Sequence, residues 1–151
     1  MEEQKIIIEC VQSESEDLVN SLNRLMQQLN PKISPLTLND LHQILTAKDT
    51  WLFVGKDQNT QSVVGTLTLI SYKTPSGVRG YVEDVVVDRE YRRRGIGEML
   101  MQEGIEKAKG LQLEFIGLTS RPEREAANQL YQRLGFQKRD TNVYRLVFKS
   151  S

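Results

Sequence analysis

Arg92-Arg93-Arg94-Gly95-Ile96-Gly97 is the stretch of this chain best equipped to do chemistry. Two glycines let the backbone approach a ligand closely, and three guanidinium groups offer charge-assisted hydrogen bonds. If a helix starts here, its first N–H groups lack intrahelical partners and lie at the positive end of the helix dipole. Such a turn attracts phosphate and suits a pyrophosphate. The competing reading is a solvated basic turn that contains two glycines. It is not a Walker A loop, because no Gly-Lys-Ser/Thr follows. Nor is it a dinucleotide fingerprint, which needs three glycines and usually opens the first βα unit of a domain. Just upstream, Glu83 and Asp84 set two carboxylates side by side; downstream, Arg124, Asn128 and Tyr131 are spaced to line one edge of a helix.

The elements that must position these residues are legible on both sides. Tyr81-Val82-Glu83-Asp84-Val85-Val86-Val87 is rich in β-branched residues and predicts a strand. Strict alternation along it puts Glu83 on one face with Tyr81, Val85 and Val87, and Asp84 on the other with Val82 and Val86. Met99, Leu100, Met101, Ile105 and Ala108 then recur at helical spacing. Earlier in the chain, Lys5–Val11 predicts a first strand and Glu16–Leu29 a helix with its leucines inward. After Pro31 and Pro35, Thr37 or Asn39 caps a second helix reaching about Ala47. Trp51–Lys56 and Val63–Tyr72 predict a hairpin, and Thr74-Pro75-Ser76-Gly77 turns the chain into the valine-rich strand. A strand at Leu111–Thr119 follows the third helix. Ser120-Arg121-Pro122-Glu123 has the form of a capping box, with Ala126, Ala127, Leu130 and Leu134 as the packed side of the fourth helix and Gly135 closing it. Val143–Phe148 predicts a last strand. The pattern is a mixed α/β layer structure around one sheet.

Arg-x-x-Gly-x-Gly after a Val-rich strand, followed about thirty residues later by Ala-Asn-x-Leu-Tyr-x-x-Leu-Gly-Phe, resembles the GNAT superfamily of acyl-CoA-dependent N-acetyltransferases. The resemblance is strongest from about Val82 to Phe136 and extends over the whole chain, because the remaining elements come in the family's order. It implies a single α/β (α+β) domain over residues 1–151, with a mixed, mostly antiparallel twisted sheet of about six to seven strands flanked by about four helices. It also implies acetyl-CoA as acyl donor, a primary amine as acceptor, direct attack, and no metal. Homodimers are common in the family.

The resemblance also implies residue roles. Backbone groups of Val85, Val86 and Val87 would pair with the pantetheine arm like an added strand, and the N–H of Val85 would serve as oxyanion donor. Arg92, Arg93, Arg94, Gly95, Ile96 and Gly97 would hold the pyrophosphate. Asn128 would contact the pantetheine arm, and Tyr131 would lie near the sulfur as general acid. For the base, Glu83 comes first, with Asp84 and Tyr81 behind it. A carboxylate that only orders the sheet edge is the alternative to that role. The Glu-Asp-Val-Val-Val string looks like the equivalent strand of glucosamine-6-phosphate N-acetyltransferases, but nothing else in the chain carries that substrate over. A non-catalytic acyl-CoA-binding module on the same fold is the reading from a different class.

Composition removes several other classes. The 20 acidic and 20 basic side chains balance, so no polyanion-binding surface and no nucleic-acid partner is expected. One cysteine, Cys10, cannot form an intramolecular disulfide and suits a reducing cytoplasm. No apolar run is long enough to span a bilayer, and Met1-Glu2-Glu3-Gln4-Lys5 does not resemble a signal peptide. A single histidine, His42, leaves little material for a histidine metal site or a Ser-His-Asp triad.

Overall fold

Apolar residues alternate by twos in some segments and recur by threes and fours in others, and the chain folds accordingly. The structure, a computed structural model, describes residues 5–149; the Met1-Glu2-Glu3-Gln4 stretch lies outside them. The chain falls into two compact units, Met1–Leu118 and Thr119–Ser151.

The first unit runs β1 (Ile6–Cys10), α1 (Glu16–Leu29), α2 (Leu38–Thr46), β2 (Thr50–Asp57), β3 (Val63–Thr74), β4 (Gly77–Val87), α3 (Ile96–Gly110) and β5 (Ile116–Gly117). The Ser15 side chain caps α1 by accepting from the Leu18 N–H. Thr37 and Asp40 close a reciprocal capping box on α2, so of the two expected caps Thr37 is the one used. The strands form one sheet in the order β1-β2-β3-β4-β5, antiparallel except for a parallel β4–β5 pair.

One sheet face packs on α1 and α2 through Leu18, Leu22, Leu25, Leu41, Leu52, Val54 and Val86. On the other, α3 sets Ile96 and Leu100 over Gly65, and Gly104 over Leu67. Leu67 is fully buried at the centre of the longest strand. Leu67→Ala is therefore expected to cost about 2–5 kcal/mol, read as a lower urea midpoint with an unchanged slope.

The second unit holds α4 (Glu125–Arg133). Gly135 adopts a left-handed φ of 103° and ends it. The Phe136 N–H donates to the Tyr131 carbonyl at 2.9 Å and the Gly135 N–H to Gln132 at 3.0 Å. This is a Schellman ending, with the Tyr131 and Phe136 rings in edge contact at 6.0 Å.

Four expectations need correction. The described residues form five strands, not six to seven. The strand expected at Leu111–Thr119 shrinks to two residues because the end of α3 takes the start of it. Leu111 caps the helix, Gln112 turns left-handed at φ 59°, and the Leu113 N–H returns to Ala108. The segment Val143–Phe148 is not a strand. Val143, Tyr144, Leu146, Val147 and Phe148 are strongly exposed and pair with no strand among the described residues, and strand preference alone forms no ladder.

Finally, Ser120 does not cap α4. The Arg124 N–H donates to the Arg121 carbonyl at 3.1 Å, which places Pro122 inside a turn, not in the helix's first turn. The helix begins with Arg124 at its cap and no side-chain hydrogen bond there. Its packed side centres on Tyr131 with Ala127, Leu130 and Leu134, while Ala126 is exposed.

Candidate active site

β4 carries the carboxylates, and its geometry differs from simple alternation. Thr68 pairs with Glu83 and Thr66 with Val86, so one residue of β3 faces two of β4. Asp84 adopts φ 53° within this bulge. Aspartate tolerates the left-handed region better than most side chains. The extra residue reverses the pleat. Val82 pairs with Leu69 on the α3 side, whereas Val86 pairs with Thr66 on the α1 side. Glu83 thus shares a face with Tyr81, on the α1 side, and not with Val85 and Val87.

The bulge also marks where β4 loses a neighbour. β5 pairs only at Gly80 and Tyr81, and it is the last strand of the sheet. Among the described residues, no strand pairs with the outer edge of β4 from Val82 to Val87. Asp84 is exposed at that edge, yet the protein around it desolvates its carboxyl enough to push the pKa above the ordinary value.

β4 leads through a single 3₁₀ turn, Arg89–Tyr91, to the arginine-glycine segment. Arg93 has φ 65° and Gly95 φ 76°, both left-handed. Gly95 is the cap of α3 and makes no side-chain cap, and a β-carbon added there would meet nothing within 4 Å. The backbone N–H groups of Ile96, Gly97 and Glu98 thus lie in the uncapped first turn of α3. Gly97 is helical without a left-handed φ, so its contribution is the absence of a side chain. Arg92, Arg93 and Arg94 are exposed. The Arg94 guanidinium lies 4.8 Å from the Tyr91 ring centroid and donates to the Glu90 carbonyl at 3.1 Å.

What holds this segment was not legible in the sequence. Asp88 follows β4 directly and is buried. It accepts from Arg24 of α1, from Gln28 Nε2 at 3.5 Å and from the Glu90 N–H at 3.1 Å. Burial pushes its carboxyl up, but the Glu90 N–H, the Arg24 guanidinium and the Gln28 amide outweigh that and hold the pKa below the ordinary value. The contact therefore stabilises the fold above the usual carboxylate range and is lost as pH falls through the depressed value. Tyr91 donates its hydroxyl to buried Asp57 at 2.8 Å. An aspartate after a strand signals a turn, but Arg24 and Asp57 give no signal because their partners lie 64 and 34 residues away.

In the second unit, Asn128 is half-buried and donates its amide to the Arg121 carbonyl at 3.0 Å, tying the preceding turn to α4. Tyr131 is buried, and burial raises its phenol pKa, with Arg124 pulling the other way. Arg124 itself is exposed at the cap.

Comparison with known proteins matches the acetyltransferase (GNAT) family over residues 16–136. The chain belongs to the GNAT acetyltransferase family. Three solved structures share the GNAT fold with it. An acetyltransferase of Trypanosoma brucei is 23% identical with a TM-score of 0.77, over 95% of this chain and 100% of that one. The glucosamine-6-phosphate N-acetyltransferase of Arabidopsis thaliana is 18% identical with a TM-score of 0.80, over 96% and 99%. The aminoglycoside N-acetyltransferase AAC(6')-Iy, solved in complex with CoA, is 17% identical with a TM-score of 0.80, over 98% of each chain. At these identities the likeness to the three is one of fold. No described helix of this GNAT chain is long and apolar enough to cross a membrane, and the described residues contain no cluster of three metal-ligating side chains.

Proposed function

We propose that this protein is an N-acetyltransferase that moves the acetyl group of acetyl-CoA to a primary amine by direct attack. The observation that carries the reading is the run from an open β4 edge to an uncapped α3 N-terminus. An extended pantetheine arm needs unpaired strand backbone, and a pyrophosphate needs clustered N–H groups; β4 and α3 offer them in that order. The empty space at Gly95 admits such a ligand. The family match crosses the boundary between the two units, which supports treating residues 1–151 as one acetyltransferase domain.

The backbone of Val85 to Val87 is proposed to bind the pantetheine arm, with the Val85 N–H donating to the carbonyl oxygen as it gains charge. Arg92 to Gly97 and Asn128 are proposed to bind the rest of the donor. An amine with pKa about 10.4 is neutral roughly once in a few thousand molecules at pH 7, so a base is useful. Glu83 and Asp84 are the two candidates for that role. The bulge position and burial-raised pKa favour Asp84, because a base with a pKa closer to neutrality takes a proton more effectively. That carboxylate takes a proton from the ammonium first; the neutral amine then attacks the thioester carbonyl, the C–S bond breaks, and the second proton lost from the nitrogen leaves CoA as the free thiol. Tyr131, with its pKa raised further above that of a thiol, serves the leaving sulfur better as a hydrogen-bond donor than as a full proton donor.

The test is acetyl-CoA turnover with a panel of primary amines, followed by release of free thiol. Tyr131→Phe is expected to lower kcat roughly a hundredfold while acetyl-CoA affinity stays within about twofold. Unchanged turnover would remove Tyr131 from the chemistry. Binding of acetyl-CoA without thiol release from any amine would favour a binding module over an enzyme.

A further inference from the structure

Two buried carboxylates flank the start of the arginine-glycine segment. Asp57 ends β2 with 1% of its surface exposed, and Asp88 follows β4 with 5% exposed. Asp57 accepts from the Asn59 N–H at 2.9 Å and from the Tyr91 hydroxyl at 2.8 Å. Asp88 binds Arg24, whose second guanidinium nitrogen donates to the Val63 carbonyl at 2.7 Å. Gln28 completes the frame by accepting from the Arg89 N–H at 2.9 Å. Of the residues just before Arg92, Arg89 is therefore fastened to α1 and Tyr91 to the end of β2, while Asp88 is tied to β3 through its N–H to the Val64 carbonyl. α3 has its own attachment to the sheet, because buried Ile96 and Leu100 pack over Gly65 of β3.

Burying two carboxylates is costly unless each is well paired, and their pairing here converges on one short segment. We propose that Tyr91 and Arg24 are positioning residues for the donor's pyrophosphate. The Tyr91–Asp57 and Arg24–Asp88 contacts hold Arg92–Gly97 in its binding shape before the ligand arrives. The inference rests on the acetyl-CoA reading and adds to it a frame outside the sequence motif. A preorganised anion site binds more tightly because the segment is already ordered. Tyr91 reaches its partner through one hydroxyl, so Tyr91→Phe removes that bond and keeps the ring beside Arg94.

The experiment is calorimetry of acetyl-CoA binding, with competition by pantetheine, which lacks the pyrophosphate. Hydrogen exchange is read at the amides of residues 92–97. Tyr91→Phe and Arg24→Met are each expected to weaken acetyl-CoA about tenfold, leave the pantetheine competition constant unchanged, and speed exchange at 92–97. Parallel weakening of both ligands would show a general structural role and overturn the proposal. Unchanged acetyl-CoA affinity in both variants would overturn it too, while leaving the acetyltransferase reading intact. Failure of the folded wild type to bind acetyl-CoA would remove both. Arg24→Met can fail to fold because it strips Asp88 of its cation; Tyr91→Phe then decides the outcome alone.

Discussion

Replacing Gly97 with tryptophan is expected to weaken acetyl-CoA binding at least a hundredfold while the protein remains folded. Gly97 lies one residue into α3, directly after the cap at Gly95 and Ile96. Its φ is not left-handed, so a side chain there is tolerated by the backbone and acts mainly by filling space. Indole at that position would cover the N–H groups of the first helical turn, where a pyrophosphate has to approach. A hundredfold loss corresponds to about 2.7 kcal/mol, a scale that losing several charge-assisted backbone contacts can reach. Calorimetry with acetyl-CoA reads the loss, and circular dichroism checks the fold. Tight binding by the variant would move the pyrophosphate elsewhere and undo the role given to Arg92–Gly97.

Asp84→Asn is expected to do two opposite things. Activity should fall by about 10²–10⁴-fold, the range a positioned general base contributes, and the acidic limb of the pH–rate profile should disappear with it. Stability at neutral pH should rise. The sign follows from the pKa: burial raises the folded-state value above the unfolded one, so the folded protein binds the proton more tightly. The ionised carboxylate is then a destabilising element above both values, relieved as pH falls through the raised pKa. Asparagine removes the charge and still accepts the left-handed φ of 53°, so the bulge is kept. Thermal unfolding and thiol release on the same sample give both readings. Glu83→Gln is the matched control, since Glu83 lies next to Asp84 but pairs in regular register with Thr68. If Glu83→Gln removes the acidic limb and Asp84→Asn does not, Glu83 is the base.

Local chemistry was enough to read much of this protein from its residues. Glu16–Leu29 has the expected helix bounds because its cap and its leucine spacing act within a few residues of one another. The same holds for the turn-to-helix start at Gly95 and the glycine ending at Gly135. The motif pair that marks a GNAT acetyltransferase is likewise local, each half lying within one strand-turn-helix or one helix.

Tertiary structure decided what depends on partners far along the chain. Alternation placed Glu83 with Val85 and Val87, but pairing with β3 inserted a bulge at Asp84 and reversed the pleat beyond it. Val143–Phe148 has strand composition without a ladder, because a strand exists only where another edge satisfies its backbone. The frame of Arg24, Asp57, Asp88 and Tyr91 joins residues up to 64 positions apart. Sequence by itself therefore determined that the four helices exist, both ends of α1, the start of α3, the glycine ending of α4 and the family, which arise from neighbours within a turn or two. Which way the carboxylates face, where the sheet stops and what holds the arginine-glycine segment come from long-range pairing, and only the fold supplies it.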